Sequence, residues 1–269
     1  MGTTRQPFTY HGSKAKLAPM IIRLIPPHKH YCEPYAGSCA VLFAKSKSKL
    51  ESINDLNNSL ISVYRTLQNK PDDLFKEATA MLHHEGLYKH YTEKIKDKDA
   101  TELEIATAFL YLQWCSFSGK QGAFGFIVES KRIPTFYINK HKFLKYRDWF
   151  IVRFDNVQIF QRDAVHVIKN IDHANTFFFA DPPYINTSHG QYAKFTEADY
   201  IKLLETLSSL KGAFLMTTYN DDIIKDYVSK NNWCKTDALS AYGFNSIHKN
   251  EVRKVEAFTS NKVLGELFS

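Results

Sequence analysis

The run Thr176-Phe177-Phe178-Phe179-Ala180 is almost entirely apolar on both alternating faces, and it stops at Asp181-Pro182-Pro183-Tyr184. A strand that is apolar on both faces belongs in the middle of a sheet covered on both sides. That narrows the chain to α/β architectures with a largely parallel sheet. The flanking pattern agrees. Residues 30–34 read as a strand, followed by a tight turn at Tyr35-Ala36-Gly37-Ser38 and a short helix through Val41-Leu42-Phe43. A second strand over 51–55 and a helix over 57–67 repeat the rhythm, and a helix over 13–25, ended by Pro26-Pro27, precedes it. Residues 71–114 read as helical throughout and 115–150 as irregular. The strand–helix alternation returns with a strand at 157–160, a helix at 164–170 and the strand ending at Asp181. Thr196 with Asp199 forms a capping-box pattern for a helix to residue 210, and strands are expected at 212–219 and 251–259.

The expectation is an α/β fold: a doubly wound Rossmann-like sheet built from residues 1–70 and 151–269. A mostly helical insertion, 71–150, interrupts it. At 269 residues, 44% hydrophobic and 23% charged, the chain can bury a substantial core, which excludes disorder or a disulfide scaffold as descriptions of the whole. Cysteines at 32, 39, 115 and 234 include no C-x-x-C pair, so they are expected reduced and the protein intracellular. No apolar run approaches the roughly 20 residues of a membrane span, and Met1–Gln6 lacks the apolar stretch of a signal peptide.

The net charge of +7 is concentrated. Between residues 119 and 153 stand Lys120, Lys131, Arg132, Lys140, Lys142, Lys145, Arg147 and Arg153, opposed only by Glu129 and Asp148. Eight aromatics lie among them, from Phe124 to Phe150. Cations meet phosphates and aromatic faces stack on bases, so the segment is a candidate nucleic-acid surface; a basic, partly buried subdomain has the same composition.

Four short motifs carry chemistry. Asp181-Pro182-Pro183-Tyr184 follows the buried strand, where open α/β sheets bind ligands. The Asp181 carboxylate and the Pro182 carbonyl are two acceptors, and Tyr184 offers a flat face. Together they match an exocyclic amine on a planar base. Accepting both N–H bonds draws the amine toward tetrahedral geometry and aims its lone pair at an electrophile. An ordinary carboxylate suffices, because the amine becomes strongly acidic once alkylated. A strand ending in a proline turn is the alternative. The second motif, Glu33-Pro34-Tyr35-Ala36-Gly37-Ser38, follows the first strand, and Gly37 permits a tight turn and close ligand approach. Third, Asp55 ends the second strand, 18 residues after Gly37. It is placed either to hold a ribose diol or to cap a helix. Fourth, in Tyr10-His11-Gly12-Ser13-Lys14, a cation in the first turn opposes the helix dipole and suggests that Lys14 meets a carboxylate. Paired histidines lack metal-ligand spacing, so no metal is expected. No Pro-Cys dipeptide occurs, which argues against a cysteine-dependent cytosine-ring methylase.

Y-H-G-S-K, E-P-Y-A-G-S and D-P-P-Y, in this order, resemble the DNA adenine methylases of the Dam type (D12 class). The likeness extends through Ile53-Asn54-Asp55-Leu56-Asn57 and Leu60-Ile61-Ser62-Val63-Tyr64. It implies transfer of a methyl group from S-adenosyl-L-methionine to N6 of an adenine flipped out of double-stranded DNA. By the resemblance Tyr10, Lys14, Glu33, Tyr35, Ala36, Gly37, Ser38, Asp55, Asp163 and Asp181 hold the cofactor. Asp181, Pro182 and Tyr184 hold the target base. From the charge pattern, Lys120, Lys131, Arg132, Lys140, Lys142, Lys145 and Arg147 of the 71–150 insertion are expected to contact DNA. The resemblance further implies a cytoplasmic, monomeric or weakly dimeric enzyme of a bacterial or phage-infected cell, either solitary or paired with a restriction endonuclease. Residues 114–126 depart from the loop that GATC-reading relatives carry, so the sequence read is left open. The same tetrad would serve cytosine N4 or an adenine in RNA, and a non-catalytic DNA-binding relative would keep the fold.

Overall fold

In the computed structural model, which describes residues 5–116, 124–126, 133–185, 195–237 and 256–262, the apolar run is strand β4 (Thr176–Ala180). All five of its residues are buried. Full burial of each Phe contributes about 1.5–3 kcal/mol, which explains why this segment occupies the centre. Strand β1 (His30–Glu33) pairs with β4 in parallel, as does β5 (Ala213–Tyr219) on its other side. With β2 (Leu50–Asn54), β3 (Val157–Phe160), β6 (Cys234–Asp237) and β7 (Glu256–Ser260), the sheet order is β3-β2-β1-β4-β5-β7-β6. The order reverses between β1 and β4, as in a doubly wound sheet. Strand β7 is antiparallel to both β5 and β6 and lies between them.

The chain forms two compact units. One comprises Arg23–Tyr35, Ser48–Ser52 and Arg162–Ser269. It holds β1, β4, β5, β7 and β6 with helices α9 (Ala164–Ile171), α10 (Glu197–Ser208) and α11 (Asp222–Asn231). The Thr196–Asp199 capping box opens α10 as the sequence predicts. Helix α11 and strand β6 went unread: β6 is a short, polar-patterned strand beside a single neighbour, with little periodicity to find.

The other unit comprises Met1–Ile22, Ala36–Lys47 and Ile53–Gln161. Helices α2 (Ala40–Ala44) and α3 (Asn58–Asn69, capped by Asn57) match the expectation. The expected single helix over 13–25 is instead a 3-10 turn (Lys14–Lys16) followed by α1 (Ala18–Leu24). Pro19 is the cause. It has no N–H to continue an α-helix begun at Ser13, and its ring would clash with the carbonyl of Ala15, so a new helix starts around it. Helices α4 (Pro71–Ala80), α5 (Glu85–Lys94) and α6 (Glu102–Cys115) occupy the stretch predicted helical. Helix α6 is buried along its length from Ala106, as an all-round apolar helix must be, and contacts α3, α4, α5 and α7.

The irregular reading of 115–150 is corrected from residue 135 onward. Residues 135–154 form α7 (Thr135–Lys145) and α8 (Arg147–Phe154). Phe136, Phe143 and Phe150, seven residues apart, are buried with Phe154. Phe143 stacks on Phe75 at 4.3 Å and Phe150 meets Phe43 edge-on at 5.5 Å. Lysines and tyrosines between the phenylalanines disguise this two-turn period.

Candidate active site

The turn after β1 is built around Gly37. Its φ of +46° lies in the left-handed region, which glycine adopts without the steric cost of a Cβ. Its N–H donates to Asp55 Oδ2 at 3.0 Å, and its carbonyl accepts from Tyr64 Oη at 2.7 Å. Asp55 Oδ1 accepts from the N–H of Asn57 at 2.9 Å. Asp55 is therefore not the cap of α3, a role that Asn57 fills with its own side chain. Burial pushes the Asp55 carboxyl above its ordinary value, opposed by the N–H donors of Asn57, Gly37 and Leu56. Ser38 donates to Ser13 at 2.8 Å, and Ser13 donates to Gln6 at 3.0 Å. Lys14 is buried, and its ammonium donates to the Gly12 carbonyl at 2.9 Å. Tyr10 is buried, with its ring 3.4 Å from where a Gly37 Cβ would stand. Thus Tyr10, Lys14, Ala36, Gly37, Ser38 and Asp55 share one unit, and several are bonded through the same turn. This donor set suits a zwitterionic nucleoside: a buried ammonium and hydroxyls for a carboxylate, a carboxylate for a diol, and a glycine turn for close approach.

The other predicted cofactor and target-base residues, Glu33, Tyr35, Asp163, Asp181, Pro182 and Tyr184, belong to the second unit. Glu33 is buried at the end of β1 and accepts from Tyr31 Oη at 2.8 Å. The Tyr35 ring meets Phe195 edge-on at 6.2 Å. Burial pushes its phenol well above the ordinary value, reinforced by Asp163 and Asp199. Asp163 is the exposed cap of α9, accepting from His166 N–H at 2.9 Å, with Lys202 at 3.7 Å.

Asp181 emerges at the carboxyl end of β4. Its Oδ1 accepts from Thr217 Oγ1 at 2.5 Å and, at the long limit of a hydrogen bond, from Tyr184 Oη at 3.5 Å. The Tyr184 ring lies against that of Tyr219, 4.4 Å between centroids and tilted 59°. Pro182 is buried between these residues in sequence. Thr217 and Tyr219 were not anticipated. Their signal is the β4–β5 register: Ala180 pairs with Met216, so the residue after each comes alongside the other.

The basic segment divides by role. Lys120, Lys131 and Arg132 lie outside the described residues, as does most of the stretch that departs from GATC-reading relatives. Lys140 donates to the carbonyls of Thr79 and Met81 at 2.7 and 2.6 Å, at the end of α4. Arg147 pairs with Asp72 and with Asp148. Lys142 and Lys145 line an open groove of about 460 Å³ with Tyr137, Ile138, His141 and Tyr146. Arg5 lies over the Tyr146 ring at 4.6 Å. The Cys115 thiol, pushed by burial up to about 12, is protonated at neutral pH and is no activated nucleophile. Among the described residues, no three His, Cys, Asp or Glu side chains form a metal cluster.

The sequence model of the D12 class N6 adenine-specific DNA methyltransferases matches residues 10–251. Type II methyltransferase M1.LlaDCHI of Lactococcus lactis subsp. cremoris is 24% identical over 93% of this chain and 94% of its own. Type II methyltransferase M.MjaIII of Methanocaldococcus jannaschii is 28% identical over 72% and 75%. The DNA N-6-adenine-methyltransferase of Escherichia phage P1 is 24% identical over 80% of this chain and 29% of its own. With the family match spanning nearly the whole sequence, the chain belongs to the D12 class N6 adenine-specific DNA methyltransferases.

Proposed function

We propose that this DNA adenine-N6 methyltransferase uses S-adenosyl-L-methionine, and that the Gly37 turn and the Asp181 tetrad divide the work between cofactor and target base. Lys14, Ser13 and Ser38 hold the methionine end of the cofactor, Asp55 its ribose, and Asp163 approaches its adenine. Tyr10, Glu33, Tyr35 and Ala36 are the remaining cofactor residues that the family resemblance implies. When bound, the cofactor supplies an electrophilic methyl group. The protein's part is to present the adenine amine. Asp181 and the Pro182 carbonyl accept its two protons, and the face of Tyr184 carries the ring. Extruding the base costs a few kcal/mol, and stacking at about 1–3 kcal/mol offsets much of that. Residues 71–150 with their basic side chains form the DNA-recognition part. The likeness to two proteins named type II methyltransferases favours a modification enzyme paired with a restriction endonuclease over a solitary one; action in the cytoplasm as a monomer or weak dimer is part of the same proposal.

The observation that carries this reading is the oriented Asp181 carboxylate beside Tyr184, at the end of the fully buried strand. The test is expression in a host lacking adenine methylation, followed by modification-sensitive long-read sequencing. N6-methyladenine in one short motif, absent with Asp181→Ala, is the expected result. Unmodified DNA from a soluble, cofactor-binding wild type would overturn it. Mass analysis of the nucleosides distinguishes adenine N6 from cytosine N4.

A further inference from the structure

The tetrad reading leaves open what fixes the plane of the Asp181 carboxylate. The torsion that sets that plane is soft and roughly two-fold, so an unbraced aspartate samples many directions. Strand β5 supplies a brace. Its Thr217 is fully buried, and its hydroxyl donates to Asp181 Oδ1 at 2.5 Å. Strand pairing holds the Thr217 backbone: the preceding Met216 pairs with Ala180 of β4, and Thr217 itself pairs with Phe258 of β7. The donor therefore sits on a rigid element rather than a loop.

Packing alone does not call for a hydroxyl here. A buried β-strand position favours valine, which has the same shape as threonine and leaves no polar atom to satisfy. The neighbouring Thr218 hydroxyl is shared with Tyr200 at 3.2 Å, so the two threonines serve different partners. Two residues on and on the same face of β5, Tyr219 lies against Tyr184. The end of β5 thus braces both chemical members of the tetrad, one by a hydrogen bond and one by a ring contact.

We infer that Thr217 is a positioning residue for methyl transfer: its hydroxyl anchors one oxygen of Asp181 and so sets the direction in which the carboxylate meets the target amine. This rests on the proposed role of Asp181. The test compares Thr217→Val, Thr217→Ala and Thr217→Ser with wild type and Asp181→Ala. Turnover on duplex DNA, KM for DNA, cofactor Kd and thermal midpoint are measured together. Misdirecting a reacting group lowers kcat about 10- to 100-fold in the Val and Ala variants, with cofactor Kd and KM for DNA within about twofold. Thr217→Ser keeps the donor and restores kcat to within about threefold of wild type. Ala provides the reading if Val does not fold. An inactive Asp181→Ala beside a Val or Ala variant of near-normal kcat would overturn the inference alone. So would a Ser variant as slow as Val. An active Asp181→Ala would instead remove the reading on which it rests.

Discussion

Lys140 separates a structural from a DNA-binding role within a single basic segment. It lies between other basic residues in sequence and is an expected phosphate contact. In the fold its ammonium donates to two backbone carbonyls, Thr79 and Met81, where α4 ends. Those carbonyls are among the groups a helix terminus leaves without intrahelical partners, and a cation there also complements the helix dipole. Lys140→Met keeps the aliphatic stem and removes both bonds. Sheltered charge-assisted hydrogen bonds contribute about 1.5–3 kcal/mol each. One of these two is solvent-exposed, so the loss is about 2 kcal/mol for the pair. At roughly 2–4 °C per kcal/mol for chains of comparable size, the Tm falls by about 4–8 °C. DNA binding is followed in parallel by fluorescence anisotropy from low to moderate salt. If about six phosphates are neutralised, the slope of log K against log salt is near −5. Lys140→Met leaves that slope unchanged, whereas Lys142→Ala or Lys145→Ala each reduces its magnitude by about 0.9. A Lys140→Met protein with unaltered Tm and a slope flattened by about one would refute the reasoning, because the ammonium would then be spent on phosphate.

Two further outcomes test other parts of the structure. Gly37→Ala forces a Cβ into the left-handed region at a cost of about 1–2 kcal/mol, so calorimetry should show cofactor Kd rising about tenfold. A Kd within twofold of wild type would show that the turn bears no load in binding. In the α10 capping box, the Thr196 backbone N–H and then its hydroxyl hold Asp199 below the ordinary carboxylate value. A depressed carboxylate contributes stability that is present above its unfolded pKa and lost as pH falls through its folded one. Asp199→Asn should therefore flatten the fall of Tm below about pH 4. An unchanged acid limb would assign it to other carboxylates.

The parts of this protein legible in its sequence are those whose physics is local. A doubly apolar run predicts a central strand, and Asp181 stands at its end because the prolines stop it. Gly37 reads as a turn because only glycine tolerates such a φ cheaply. The start of α3 reads to within a residue, although its cap is Asn57 rather than Asp55. What escaped depends on contacts between distant segments. Thr217 gains its meaning from a strand register linking residues 36 apart. Lys140 reads as a surface cation until α4, about 60 residues earlier, ends beside it. Helices α7 and α8 were missed although their signal is local, because phenylalanines seven apart among lysines look like scattered aromatics. The break at Pro19 is local as well, in the N–H that proline lacks, although the apolar spacing of Leu17, Met20, Ile21 and Leu24 by itself predicts one helix.

The placement of β7 between β5 and β6 has a consequence for the order of events during synthesis. A growing chain makes β5 and then β6, yet β6 has no seat in the sheet until residues 256–260 arrive to separate them. Until then one edge of β5, the strand carrying Thr217 and Tyr219, is an open row of donors and acceptors. Vectorial folding from the N-terminus therefore pairs β4 with β5 first and closes the far edge of β5 last. A ribosome-bound chain short of residue 256 thus carries β1, β4 and β5 with one edge of β5 still unpaired.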